Sequence, residues 1–565
     1  MLDRHWLRLP DPHRSAKSYL LALKHFLQTY DWLWTHHATD FFVNDYWNQS
    51  RFPDSWKFLK DELSYPDLLE LATFQESQAH WPTDLREYIA LSKTIPLPRS
   101  ADDDSVVHKL KTTVRPLDKK IVYGMSPKKR HEVGIMAALI HELMAIDGAT
   151  YAVDIGAGQG YLDMVLAFQY GHNVIGIDDD EIQTCGAQRR SSTIERVFAD
   201  HNGGRLYHIN RRVHATESLP DLVQHAIAAD SDASLDASVD PDAKWLLCGL
   251  HSCGDLTPNI IRHFLKSEAS LLAAVSCCYN HVTESFTPGH EQVPDWEAHR
   301  AQKRPLPKTD EPGFPMSRFL QSEKMSLGFT ARMLACQATT RWAGQDDGRE
   351  SYTKHYHRAL LQYVIRDLGL ISNSVASKDI NVGRLSRSAF GRGFAAYAAA
   401  ALSRLGISDV PIERLGQYEK DFEDREKEIA VVWTLRALLA PAIESMLLVD
   451  RFLHLIEESG QDDYVMPTEQ QPPVTTDSPS ARMGAPWFDS CGDHASSSVV
   501  TEGRSCGDTS SGAGERNAHD KVQDESNGIA ATKGHQRLVV RLFPLFDSVE
   551  SPRNMILVAR KCKTD

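Results

Sequence analysis

The 565-residue chain reads as an α/β protein built on a Rossmann-like sheet, with helical segments around it. Three observations predict this. A strand runs into a glycine-rich loop and a helix over 151–171; further strand-like runs alternate with helical ones up to residue 278; and two strand-like runs close the chain.

Taken in order, residues 1–107 predict a helical domain, aromatic-rich ("FFVNDYWNQSRFPDSWKFL") and without a chemical motif. A basic stretch follows, with eight Lys/Arg against two acids between His108 and Glu132. Ser126-Pro127 has the form of an N-cap with proline at the first helical position. Val133, Met136, Leu139, Ile140 and Leu143 recur at helical spacing, and Gly148 is placed to end the helix.

From Thr150 the period changes. "YAVDIG", "NVIGID", "RLYHINRRV", "KWLLCGL" and "LLAAVSCC" read as five successive strands, with the helix "YLDMVLAFQYG" after the first. The acidic run 228–243 reads as a surface loop. These elements make 108–345 the α/β core and 346–460 a helical insertion, kinked at Pro441. Residues 461–535 are too poor in apolar side chains to offset the entropy of ordering and are expected to be disordered, leaving Cys491 and Cys506 exposed. The closing runs, "RLVVRLFPLF" and "NMILVARK" within 536–565, predict a hairpin that completes the open edge of the sheet.

A net charge of −14 argues against a chain-wide nucleic-acid coat but leaves room for a local basic patch. Nine cysteines form no regular disulfide framework, which points to a reducing compartment. The first residues carry no apolar signal core, and the longest apolar run is interrupted by Arg436, Glu444 and Asp450. The expectation is a soluble cytoplasmic or nuclear protein with no membrane partner.

"VDIGAGQGYLD" is the most informative segment. Its glycines, Gly156, Gly158 and Gly160, alternate after a strand and before a helix, which permits a tight turn and close approach to backbone. Dinucleotide folds space their glycines as G-x-G-x-x-G for a pyrophosphate. Here G-x-G-x-G follows Asp154, the pattern used for S-adenosyl-L-methionine, where an acid can meet the cofactor's ammonium. Asp178, 22 residues after Gly156 at the end of the second strand, is placed to accept both ribose hydroxyls. The expected cofactor set is Asp154, Gly156, Ala157, Gly158, Gly160, Tyr161, Asp178 and Asp179.

Two loops at the same edge of the sheet carry Cys248, His251, Cys253 and Asp255, then Cys277, Cys278 and His281. A zinc site is one reading. However, C-x2-H-x-C and C-C-x2-H are not a usual zinc-finger pairing, and Cys248 and Cys277 are expected to point from strands into a packed sheet. The favoured reading has no metal. His251, Cys253 and Asp255 serve catalysis by orienting or deprotonating the acceptor, and Cys278 and His281 contact it. Lys128, Lys129 and Arg130, at a helix start, are placed to grip phosphates.

"GMSPKKRHEV", "VDIGAGQGYLD", "CGLHSCGDLT", "SCCYNH", "GFPMSRFL" and "FPLFDSVESPRN" together resemble the methyltransferase-like protein 25 family, which includes the protein called ribosomal RNA adenine dimethylase domain-containing 1. The resemblance covers most of 25–455 and 536–562. It implies a seven-strand S-adenosylmethionine-dependent methyltransferase fold with helical additions and a C-terminal hairpin. "CGLHSCGDL" stands where adenine N6 methylation would need N/D-P-P-Y/F, which points away from adenine. "HSCGDLT" and "SCCYNH" are also similar, more distantly, to the motifs of a tRNA 2′-O-methyltransferase family. The expected substrate is RNA, a tRNA or an rRNA. The alternatives are a basic side chain of a protein, or a non-catalytic scaffold that uses its helices to bind partners.

Overall fold

The computed structural model describes residues 3–73, 76–101, 105–198, 204–228, 242–286, 311–339, 342, 346–372, 374–375, 380–383, 385–386, 390–467 and 537–562. The acidic run, all but its ends, and Cys491 and Cys506 lie outside them. Eight strands form one sheet: β1 (Trp6–Leu7), β2 (Tyr151–Ile155), β3 (Asn173–Asp178), β4 (Leu206–Asn210), β5 (Trp245–Ser252), β6 (Leu271–Ser276), β7 (Leu538–Pro544) and β8 (Met555–Lys561). Their order is β1-β7-β8-β6-β5-β2-β3-β4. β2 to β6 are mutually parallel, whereas β8 runs antiparallel to β6 and to β7. The C-terminal hairpin completes the sheet as the sequence predicts, and the two-residue β1 adds an eighth strand on its far side.

Side chains along each strand alternate between two cores. Val153, Ile155, Leu247 and Leu272 face one; Ala152, Leu246, Cys248 and Leu271 face the other. Burial on both faces is why these strands read as continuous apolar runs rather than alternating ones. The first core also takes in α1 (Ala16–Thr29) and the 346–466 helices, so the helical segments share their interior with the sheet. Residues 1–466 and 535–565 make one compact unit.

The second core is closed by α2 (Pro127–Asp147), which starts and stops as its caps dictate. Ser126 Oγ accepts from Lys129 N at 3.3 Å, and Gly148 ends the helix in the left-handed region at φ 71°. Two more helices, α3 (Glu181–Phe198) and α4 (Leu256–Lys266), follow β3 and β5.

The stretch Glu423–Glu458 is long and apolar enough to cross a membrane, yet 94% of its most apolar window is buried, packed into the first core. It contains α5 (Ala440–Glu458), with Pro441 in its first turn. Of the segment 461–535 expected to be disordered, residues 461–467 are described and packed, and the rest lies outside the described residues. Tyr464 and Met466 are buried, and Tyr464 donates its hydroxyl to Leu7 O at 3.0 Å.

Candidate active site

The sheet order runs outward from β2 through β3 and β4, and the opposite way through β5 and β6. The loops after β2 and β5 therefore lie side by side at the switch point, where open α/β sheets bind ligands. Asp154 stands opposite Cys248 in the register.

The loop after β2 turns through three left-handed glycines, with φ 86° at Gly156, 57° at Gly158 and 67° at Gly160. A Cβ at Gly156 would sit 2.7 Å from Leu256, and one at Gly160 would sit 2.5 Å from His208. At Gly158 nothing lies within 4 Å, so that turn presents bare backbone to open space. Asp178 holds the turn from β3, accepting from Gly158 N and Asp180 N at 2.9 Å each. Burial raises its pKa. Ala157 N–H donates back to Ile177 O. Asp179 instead points outward to Arg212, 2.8 Å away.

Asp154 is paired with Asp163 under the loop, and both are buried. Among the described residues no donor reaches Asp154 Oδ1 or either Asp163 oxygen. Burial pushes Asp154 up to about 7. It pushes Asp163 well above the carboxylate range, with the charge of Asp154 adding to the effect. His208 Nδ1 lies 3.6 Å from Asp163, and burial drops that imidazole to about 4, so it is neutral. Bare backbone at Gly158, a strand-end acid at Asp178 and a buried carboxyl pair without donors beneath fit S-adenosyl-L-methionine, a cation with a ribose diol. Tyr161 caps the loop with Lys129 Nζ 4.7 Å and the Arg190 guanidinium 4.3 Å from its ring centre.

On the other side of the switch point, β5 shifts register between Leu250 and Ser252, and His251 adopts φ 68°. A non-glycine residue held there costs roughly 1–3 kcal/mol, a strain found where a side chain must be aimed. His251 Nε2 meets Glu132 Oε2 at 2.9 Å. Glu132 comes from α2 and is buried; Ser551 Oγ donates to its other oxygen at 2.6 Å, and Lys128 Nζ is 3.4 Å away. Burial pushes Glu132 up, but the His251 and Ser551 hydrogen bonds outweigh it and hold the carboxyl below its usual range. Glu132 is thus ionised. Nε2 donates to it, and Nδ1 is the ring nitrogen left for another partner.

The loops bring some of the expected residues together and separate others. Cys253 Sγ lies 3.1 Å from Cys277 Sγ and 3.2 Å from Cys278 Sγ. Cys277 is not in the strand: β6 ends at Ser276, and the following thiol turns toward the loop rather than into the sheet. Cys248 does point into the core. Asp255 turns away from this group and accepts from Thr283 N at 2.9 Å. His281 stands beside Asn280, its Nε2 3.2 Å from the amide. Lys129 lies on Tyr161, while Arg130 is exposed and binds Met125 O through Nε. Sequence reasoning missed Glu132 and Ser551, although both sit in quoted motifs, "GMSPKKRHEV" and "FPLFDSVESPRN".

A family model described as "Methyltransferase domain" matches residues 128–285, the span from the start of α2 past the paired cysteines. The fold and site accordingly define an S-adenosyl-L-methionine-dependent methyltransferase. The chain is similar to "Probable methyltransferase-like protein 25" of Mus musculus, 26% identical over 454 residues, covering 60% of this chain and 72% of that protein. The protein of the same name from Homo sapiens is 24% identical over 453 residues, covering 60% and 71%. Among solved structures, magnesium protoporphyrin IX methyltransferase of Synechocystis PCC 6803 with bound SAH is 15% identical, covers 31% of this chain and 68% of that one, and has a TM-score of 0.18.

Proposed function

We propose that the chain methylates RNA, a tRNA or an rRNA. The observation that carries this reading is Tyr123. Its ring is 82% exposed, within the basic stretch and beside the cofactor loop. Arg190 donates to Tyr123 O at 3.2 Å while its guanidinium covers Tyr161, so the exposed ring borders the site. Lys119, Lys120 and Arg130, within seven residues of it along the chain, are exposed. A bare aromatic ring among cations is how proteins hold unpaired bases and their phosphates, each stacked base contributing about 1–3 kcal/mol.

S-adenosyl-L-methionine supplies an electrophilic methyl group on its sulfonium. The chain's own part is positioning, which dominates an in-line displacement, and proton removal. His251, oriented by Glu132, takes the proton from the acceptor at Nδ1, and Glu132 stabilises the imidazolium that results. Incubating the protein with tritiated S-adenosyl-L-methionine and an extract of cells lacking it tests the reading. Label released by RNase supports RNA. Label released by protease instead moves the acceptor to protein and refutes it.

A further inference from the structure

Methyl transfer by His251 leaves the three thiols beside it without a task. Cys253, Cys277 and Cys278 arrive on two loops that the backbone clamps together. Gly254 N donates to Cys278 O at 3.1 Å, and a Cβ on Gly254 would lie 2.7 Å from the backbone of His281. The second loop is anchored from below by Tyr279, which is buried and donates to Glu444 at 2.8 Å. The sulfurs are therefore placed by the fold, not by flexible side chains finding one another.

We propose that Cys253, Cys277 and Cys278 form a zinc site with three thiolate ligands and a fourth position open to an incoming donor.

The spacing suits one shared ion better than a disulfide. The three Sγ atoms lie 3.1, 3.2 and 3.5 Å apart, a nearly regular triangle. A disulfide would join one pair at about 2.05 Å and strand the third sulfur. From those three separations each sulfur is about 1.9 Å from their common centre. An ion about 1.3 Å off their plane therefore lies at the zinc–thiolate distance of roughly 2.3 Å from all three. An ideal tetrahedral edge of about 3.8 Å asks each pair to open by less than about 1 Å. Thiolates select soft or borderline ions such as zinc over magnesium or calcium.

Charge favours the same occupant. Zinc held by three thiolates would carry one net negative charge, facing the positive fields of Arg451 and Arg553, which both act on Cys277. Cys253 is exposed, so the fourth position opens outward. Three protein ligands and one exchangeable position are the pattern of reactive rather than purely structural zinc.

The test uses the full chain, purified under reducing conditions, and does not depend on which polymer is methylated. Elemental analysis should find about one zinc per chain. Cys253→Ser and Cys278→Ser should each drop that to none against a competing chelator, whereas Cys185→Ser, on α3, should leave it unchanged. Cobalt loaded into the wild-type protein should give an intense thiolate-to-cobalt charge-transfer band, a readout that needs no variant to fold. Added mercaptoethanol should shift its visible bands. Wild-type protein that binds neither ion, a disulfide between any two of these cysteines in freshly reduced protein, or serine variants that keep their zinc would overturn the site. A cobalt spectrum indifferent to the added thiol would overturn the open position.

Discussion

Replacing Asp163 with asparagine isolates the buried carboxyl pair under the glycine loop. Asp163 is fully buried, its oxygens meet no donor among the described residues, and Asp154 lies against it. Burial first, and the Asp154 charge second, hold its folded-state pKa well above the value of about 3.9 expected in the unfolded chain. A raised folded pKa contributes stability that is present below the unfolded pKa and lost as pH rises toward the folded one. Across that window the folded state keeps a proton that the unfolded state releases, at about 1.4 kcal/mol per pH unit. Between about pH 5 and pH 8 the effect amounts to that slope over the part of the window lying below the folded-state value. Asp163→Asn keeps the shape, supplies an amide donor to Asp154 and has no proton to hold. Urea unfolding at both pH values should therefore show the variant gaining on the wild type by up to that amount as pH rises. The comparison between the two proteins cancels the opposite trend of buried histidines such as His36 and His208, whose lowered pKa values favour the folded state at higher pH. A difference that stays constant from pH 5 to pH 8 would refute the shared proton.

Gly158→Arg forces a side chain onto a left-handed residue whose Cβ side is open, so it fills the ligand's space more than it disturbs packing. Titration calorimetry should show S-adenosyl-L-methionine binding abolished with the melting temperature within a few degrees of wild type, and retained binding would remove the loop from the cofactor site. Glu132→Gln keeps the contact with His251 but removes the charge. The turnover rate should fall roughly a hundred-fold with cofactor affinity unchanged, and an unaltered rate would exclude His251 as the base. Lys119→Ala/Lys120→Ala should weaken RNA binding and flatten its salt dependence, while Tyr123→Ala should weaken it without changing the slope. An unaltered slope in the lysine variant would place the phosphates elsewhere.

The strands were legible because burial on both faces writes them as apolar runs. The hairpin was legible because two strands after a polar tract need an edge to pair with. The same property hid Cys277. When both faces are buried, alternation is lost, and nothing in "AAVSCC" marks that β6 stops at Ser276. What stops it is tertiary: the Ser276 hydroxyl donates to Thr257 and accepts from Arg451, 175 residues away. β1 is too short to register in a sequence. The packing of Tyr464 and Met466 was masked by the polar residues around them.

Sequence distance divides the site in the same way. The glycine loop is local, so its residue types and spacing already carry its geometry. The His251–Glu132 pair spans 119 residues and Glu132–Ser551 spans 419. The second closes only because the hairpin lies on β6, with its turn set against α2. Among the bonds that tie that turn down are Ser551 to Glu132, Arg553 to Glu444, and Asn554 to Arg99 O. Glu444 in turn receives the Tyr279 hydroxyl that anchors the paired cysteines. One C-terminal turn therefore braces both the carboxylate that aims His251 and the loop that carries two of the three thiols. This gives a physical reason for a chain whose glycine and cysteine loops end by residue 285 to hold its final strands in the same sheet.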